Sequence, residues 1–301
     1  MWESIVEAVS RAEGRNLHRA SAPRPISGGC INEAWAIELE TTAGDRDRYF
    51  VKLNDAACTD PFAAEAEGLE LLRLPGVIRV PRVIARGTTG ERAFLVLEHI
   101  DMGNSGSRRS EETLGSQLAM LHKTFATDGQ FGWTRDNTIG ATLQVNARTS
   151  DWGDFFIERR LRFQFELAER KGYDFRRRDD FLNQRVPEIL AGHHPRPSLV
   201  HGDLWRGNVG YTTGDQPVIF DPAVYFGDRE VDIAFTQMFG GFGTGFYRAY
   251  EKDWPLPAGH KRRADIYNLY HLLNHLNLFG GGYHAQAAAA MERIWNVDFR
   301  P

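Results

Sequence analysis

Cysteine is nearly absent from this chain, with two residues in 301. Two thiols cannot build a disulfide framework, so the fold must rest on a hydrophobic core, and such usage fits a reducing compartment. Lysine is also scarce: five residues, at positions 52, 123, 171, 252 and 261, with arginine serving elsewhere. There is no basic excess, since the formal net charge is -4 and the pI is near 6.2. That balance argues against a nucleic-acid or membrane-surface partner. No apolar run approaches the roughly 18 residues of a membrane span, and there is no internal repeat or low-complexity tract. The start, Met1 to Val9, is acidic and amphipathic, without the basic-then-apolar order of a signal peptide. It reads as a helix of the mature chain, and the expected location is the cytoplasm.

What is present is an ordinary globular composition, 42% hydrophobic and 25% charged. The length allows one large domain or two lobes. Residues 1–98 read as strand-rich. Trp35 to Glu40 alternates like a half-buried strand, Thr42-Ala43-Gly44-Asp45 is a turn cluster, and Tyr49 to Leu53 returns. Pro61 to Leu74 has a helical stripe ending before Pro75-Gly76, and 83–85 and 94–97 are two further strands. Beyond Glu98 helical patterns dominate, clearest at 113–125, 151–169, 179–190 and 266–279, with 103–110 reading as loop. The expectation is an α+β, bilobal fold: a small antiparallel-sheet N-lobe over 1–98 and a larger helical C-lobe over 99–301.

The chemistry is concentrated in His201-Gly202-Asp203-Leu204-Trp205-Arg206-Gly207-Asn208, followed by Val218-Ile219-Phe220-Asp221. Phosphoryl transfer needs an Asp to accept the proton of the attacking hydroxyl. It also needs an Asn five residues on, and a second Asp beyond a hairpin, to hold metal ions that neutralise the phosphates. Asp203, Asn208 and Asp221 occupy that spacing, which would suit Mg2+, a cation that keeps few protein ligands. The bland alternative is a turn rich in ordinary Asp, Gly and Asn, but four constrained positions in order, followed by an apolar strand, rarely arise by chance. His201 would position the loop. Upstream, Gly28 and Gly29 lie between strands where a backbone could approach phosphate, though Gly-Gly there is more often a hairpin. Lys52, a cation on an apolar strand, is better explained by a phosphate partner than as a surface charge. Its aiming carboxylate would be Glu65 or Glu67, and Glu65 shares the apolar stripe of its helix.

Three features are less informative. Cys30, in the glycine loop, is either a small filler or a redox-sensitive thiol able to form an intermolecular disulfide. His271 and His275 lie one turn apart, but Leu272 stands where a zinc-protease pattern needs Glu, so structure or substrate contact is expected. The runs at 176–178 and 261–263 read as solvated helix ends.

The chain resembles the fructosamine (ketosamine) 3-kinases over most of its length. The resemblance runs through Ser27-Gly28-Gly29-Cys30-Ile31-Asn32, Asn137-Thr138-Ile139-Gly140, Asp151-Trp152-x-x-Phe155-Phe156, Gly227-Asp228-Arg229-Glu230-x-Asp232 and Tyr267 to Tyr283. Trp205 and the block Asn274-His275-x-Asn277-x-Phe279-Gly280-x-Gly282-Tyr283 look specific to that family, whereas choline and aminoglycoside kinases share only the core. The resemblance implies ATP and Mg2+, with Asp203 as base, Asn208 and Asp221 on metal, and Lys52 with Glu65 as phosphate clamp. It implies that the hinge backbone near Glu98 and Ile100 holds adenine, that Asp232 braces the catalytic loop, and that Trp205, His271, His275 and Tyr283 shape the sugar pocket. Ala141 departs from an expected glycine, outside the phosphate site. The resemblance also implies a protein-kinase-like fold, with small-molecule ketosamines or glycated proteins as substrates, while the Cys30 reading leaves the expected assembly a monomer or a redox-linked dimer. The competing reading is an aminoglycoside- or choline-type kinase. A non-catalytic module would be expected to have lost Lys52, Asp203, Asn208 or Asp221, and all four are present.

Overall fold

The computed structural model describes residues 1–27, 31–103 and 106–296. The chain divides into two compact units, one of residues 1–106 with 210–221, the other of residues 107–209 with 222–301.

The first unit is built on antiparallel sheet. Its strands are β1 (Leu17–Arg19), β2 (Arg24–Ile26), β3 (Glu33–Thr41), β4 (Arg46–Asp55), β5 (Val83–Thr89) and β6 (Arg92–Glu98), in the order β1-β3-β4-β6-β5 with β2 also on β3. Alternation explains the central strand. Tyr49, Val51 and Leu53 of β4 point into a core with Ile37, Leu39 and Val96, covered by Ile5 and Val9 of helix α1 (Trp2–Glu13). Lys52, one residue out of phase, must then face the other side. It lies opposite Ala34 of β3 and Leu95 of β6. Helix α2 (Thr59–Arg73) buries Phe62, Ala66, Leu69 and Leu72. Glu65 sits three residues after Phe62 and four before Leu69, so it shares their face, while Glu67 is exposed.

The second unit is mainly helical, which completes the expected α+β class. The first long helix, α3, runs Arg108–Leu121, not 113–125. It starts early because the Ser107 hydroxyl caps it, accepting from the Ser110 amide, so part of the expected loop 103–110 is helix. It stops early because Phe125 pairs with Ser198 as a β-bridge. The expected helix 151–169 is observed, with a π-helical turn at Phe156–Arg162. A second π-turn, Phe181–Arg185, interrupts 178–190. Such insertions occur as single turns within otherwise regular α-helices, so a helix read over a whole segment does not mark where they fall. The last expected helix extends over His260–Phe279. Its added first turn overturns one expectation: Arg263, read as a solvated end, is buried and bonds both Glu230 carboxylate oxygens at 2.7 and 2.8 Å. Among the described residues no helix is long and apolar enough to cross a membrane.

Candidate active site

Two constellations form, one in each unit. In the first, the Lys52 Nζ donates to Glu65 Oε1 and to Asp221 Oδ1, both at 2.6 Å. Lys52 and Glu65 are nearly enclosed, at 7% and 15% side-chain exposure, whereas Asp221 is 43% exposed. Burial works to lower the ammonium pKa, but the charges of Asp221 and Glu65 overrule it and raise the pKa above its ordinary 10.5. Burial also pushes the Glu65 carboxyl up, against the pull of Lys52. Asp221 has a left-handed backbone, φ 56°, a costly conformation for a residue with a Cβ and one that recurs at functional sites. The loop before β3 is tied by Asn54 Nδ2, which donates to Asn32 Oδ1 at 2.7 Å. Gly28, Gly29 and Cys30 lie outside the described residues. At the end of β6, the Glu98 amide donates to the Arg82 carbonyl and its carboxylate accepts from the Arg82 amide. Ile100 follows, half-buried, beside an Arg48–Asp101 pair bonded at 2.6 and 2.7 Å.

The second constellation is the loop after strand Ser198–Val200. Buried Asp232 accepts from the His201 amide at 2.7 Å and the Gly202 amide at 2.9 Å. The Arg229 Nη1 donates to the Tyr250 hydroxyl, which then donates to His122 Nδ1, so the His122 Nε2–H donates to Asp232. Burial opposes ionisation of Asp232, but His122 and the loop amides outweigh it and hold the carboxyl below its usual range. His201 is fully buried and its Nδ1 accepts from the Asp203 amide at 3.3 Å, which is positioning geometry. Asn208 Nδ2 closes the loop, donating to the Asp203 backbone oxygen at 2.8 Å and to Asp203 Oδ2 at 2.9 Å.

Gly202 is demanded by this packing. Its φ is +79°, and a Cβ there would lie 2.0 Å from the Ala223 carbonyl oxygen. Gly202→Ala is expected to destabilise the protein by about 2–4 kcal/mol and to lower turnover at least tenfold, since backbone on both sides of the clash must shift. A thermal melt and a turnover assay on the purified variant check both.

Beyond the loop, partly exposed Trp205 packs edge-on against Phe239 at 5.9 Å, and Phe239 continues to His275 at 5.1 Å. Tyr283 and Phe279 close around His275 at 5.2 and 5.7 Å. The His275 Nδ1 donates to the His271 carbonyl, so the neutral ring presents Nε2 as an acceptor. Burial holds the His275 pKa below the ordinary histidine value despite that bond. His271 is placed differently: it is buried and stacks flat on Phe235, 3.5 Å between ring centres. Sequence reasoning did not assign roles to His122, Tyr250, Arg229, Phe239 or Glu111. Glu111 holds the loop residue Arg206 at 2.8 Å and also the Gly243 amide. Each comes from a distant part of the chain, and helical spacing alone could not have singled them out. His193, Asp228 and Glu230 converge closely enough to suggest a metal site. Asp228, however, already accepts from His193 and Tyr267 and Glu230 is held by Arg263, so the cluster anchors the helix Glu230–Thr236 that carries Asp232.

The family model for fructosamine kinases matches residues 1–297. A probable ketoamine kinase of Synechocystis is 43% identical over 98% of this chain and 97% of its own length. A chloroplastic protein-ribulosamine 3-kinase of Arabidopsis thaliana is 41% identical over 89% of this chain and 80% of its own. A crystal structure from Haemophilus somnus, of a protein assigned as a fructosamine-3-kinase, superposes with a TM-score of 0.89 at 31% identity. It covers 98% of this chain and 97% of that one.

Proposed function

The chain belongs to the fructosamine kinase family, and on that premise we propose that it transfers the γ-phosphoryl group of ATP to the 3-hydroxyl of a ketosamine, free or on a glycated protein. The observation that carries the reading is the loop in which Asp232 grips the His201 and Gly202 amides and Asn208 grips Asp203. A carboxylate held from behind in this way is oriented to take a proton, not merely placed in a turn.

Asp203 takes the proton of the sugar 3-hydroxyl as its oxygen bonds to the γ-phosphorus and the bond to the β-phosphate oxygen breaks, releasing ADP. Lys52, aimed by Glu65, binds phosphate oxygens. The amide oxygen of Asn208 and the carboxylate of Asp221 are hard donors that fit Mg2+ and not a soft metal. Bound there, the ion would supply charge neutralisation at the phosphates. Gly28 and Gly29 would approach the phosphates, and the backbone at Glu98 and Ile100 would receive adenine. Trp205, His275 and Tyr283 offer a partly exposed aromatic face for the sugar and its amine, with His271 backing that face through Phe235. The ketosamine amine is cationic at neutral pH, and aromatic faces with an acceptor nitrogen suit a cation.

The product accounts for a repair role. Enolisation toward C1 activates the C3 phosphate as a leaving group, and hydrolysis of the resulting imine frees the amine and a deoxy-dicarbonyl compound. No enzyme is required for that breakdown.

The test is ADP release with Mg2+ and ribulosamine or fructosamine adducts of lysine. Turnover on either sugar is expected, and the ratio of rates identifies the preferred one. A folded, ATP-binding protein inert on both, but active on an aminoglycoside or an amino-alcohol such as choline, would overturn the assignment.

A further inference from the structure

The second unit holds a fully buried cation whose hydrogen-bond partners among the described residues are all neutral. Arg160 lies on the π-turn Phe156–Arg162 and has no accessible surface. Its Nη1 donates to the carbonyls of Val145 and Arg159, and its Nη2 donates to Asn146 Oδ1 at 2.7 Å. The guanidinium lies 4.6 Å from the Phe155 ring centre and 4.2 Å from that of Tyr225. A buried charge without a carboxylate partner is costly, and π-turns recur where function tolerates strain.

The bonds that leave Arg160 run in one direction. With Asn146 Oδ1 held by the cation, its Nδ2 must donate onward, and it does so to Asn137 Oδ1 at 2.9 Å. Asn137 Nδ2 then donates to the Val224 carbonyl at 2.9 Å. Gln144 is oriented likewise. The Tyr270 hydroxyl donates to its Oε1, so its Nε2 donates to Asn137 Oδ1 and to the Ala223 carbonyl at 3.0 Å. Ala223 is the residue whose amide holds the His201 carbonyl at 2.9 Å and whose own carbonyl leaves no room for a Cβ on Gly202. Asn137 and Gln144 therefore turn their nitrogens to the backbone clamped to the Asp203 loop, while Asn146, its oxygen on the cation, donates to Asn137 and to the Arg135 carbonyl.

We propose that Arg160 and Tyr270 are positioning residues for the Asp203 loop, Arg160 acting through Asn146 and Asn137 onto the Val224 carbonyl and Tyr270 through Gln144 onto the Ala223 carbonyl, the two branches meeting at Asn137 Oδ1. The proposal rests on the reading of that loop as catalytic. The cation sets the sense of Asn146 and so of Asn137, and the Tyr270 hydroxyl sets that of Gln144, so reversing one link reverses what reaches the backbone.

Asn146→Asp tests this. The new carboxylate would pair with Arg160, which protects the fold, but it cannot donate to Asn137. Asn137 Oδ1 would then face that carboxylate with only Gln144 Nε2 bonded to it, and turning the amide to donate to the carboxylate would set its oxygen against the Val224 carbonyl, so either arrangement breaks the relay. The expected result is kcat lowered about tenfold or more, with KM for ATP within about twofold and melting changed by no more than a few degrees. Hydrogen exchange in peptides spanning 199–209 should accelerate several-fold while α3 and the helix His260–Phe279 stay unchanged. Unchanged kcat and unchanged exchange would overturn the proposal. Tyr270→Phe, which removes only the hydroxyl orienting Gln144, should lower kcat by about threefold in the same pattern, and it decides the matter if Asn146→Asp does not fold. Wild-type protein inert on every ketosamine would defeat the proposed function instead, and the exchange rates alone would then judge the relay.

Discussion

Asp203→Asn is expected to lower kcat by about a thousandfold while the melting temperature and the KM for ATP stay near those of the wild type. The substitution preserves shape, and Asn208 Nδ2, which bonds Asp203 at both its backbone oxygen and Oδ2, keeps an oxygen to bind. That preference is what disables the site. With its Oδ1 taken by Asn208, the new amide would present NH2 where a proton acceptor is needed. The loop itself should persist, because Asp232 holds it from His201 and Gly202, not from position 203. A coupled assay of ADP release beside a thermal melt is sufficient. A loss smaller than about tenfold would remove Asp203 as the base, since general-base catalysis contributes roughly 10²–10⁴-fold.

Lys52→Met should damage both stability and turnover, and a second substitution can separate the two. Lys52 is the only cation bonded to Glu65 in the described residues, and Glu65 is nearly enclosed. Removing it leaves a buried carboxylate unpaired, which typically destabilises by about 3–5 kcal/mol. The loss should lie toward the low end, because Asp221, the other partner, is 43% exposed and partly screened by solvent. Turnover should fall about a hundredfold or more through loss of the phosphate contact. Lys52→Met with Glu65→Gln removes the unpaired charge, so it should regain most of the stability and none of the activity. Recovery of activity in the double variant would mean that Lys52 serves the fold alone. The pH dependence follows from the raised pKa of Lys52. A cation whose folded pKa exceeds its unfolded value contributes fully below the unfolded pKa and loses that contribution as pH rises through the folded one. The Lys52 contribution should therefore be full up to about pH 10 and decline only above about pH 10.4. Urea melts on both sides of that pH check the sign.

Glu65 and Glu67 show how far local pattern reaches. The two differ by two residues, a rotation of about 200° around a helix; the stripe Phe62–Ala66–Leu69–Leu72 favours Glu65 without excluding Glu67, and Glu65 is the carboxylate that Lys52 bonds. His271 and His275 mark the limit. They are one turn apart, yet one stacks flat against Phe235 in the interior and the other joins a partly exposed aromatic face. Helical phase puts both on one side and cannot say which neighbours cover each. Arg263 fails for a related reason, since a basic run at a helix start is usually solvated and only Glu230, 33 residues away, makes burial favourable.

The linear order of residues was sufficient for the α+β class, for the long strands β3 to β6 and the longer helices, and for locating the candidate catalytic loop, because these depend on periods of two and 3.6 and on chemistry carried within a few consecutive positions, whereas most three-residue strands left no such pattern. Beyond His201, and the brace at Asp232 that only the family resemblance implied, it was silent on what holds that chemistry in place. Asp232 reaches amides 30 and 31 residues away, and His122 lies 110 residues from the carboxylate it orients. The Arg160 relay links a π-turn to a backbone segment more than 60 residues later. Such partners are chosen by packing, where burial makes an unsatisfied donor or charge too costly to leave alone. Nothing in the local pattern of either partner records that choice.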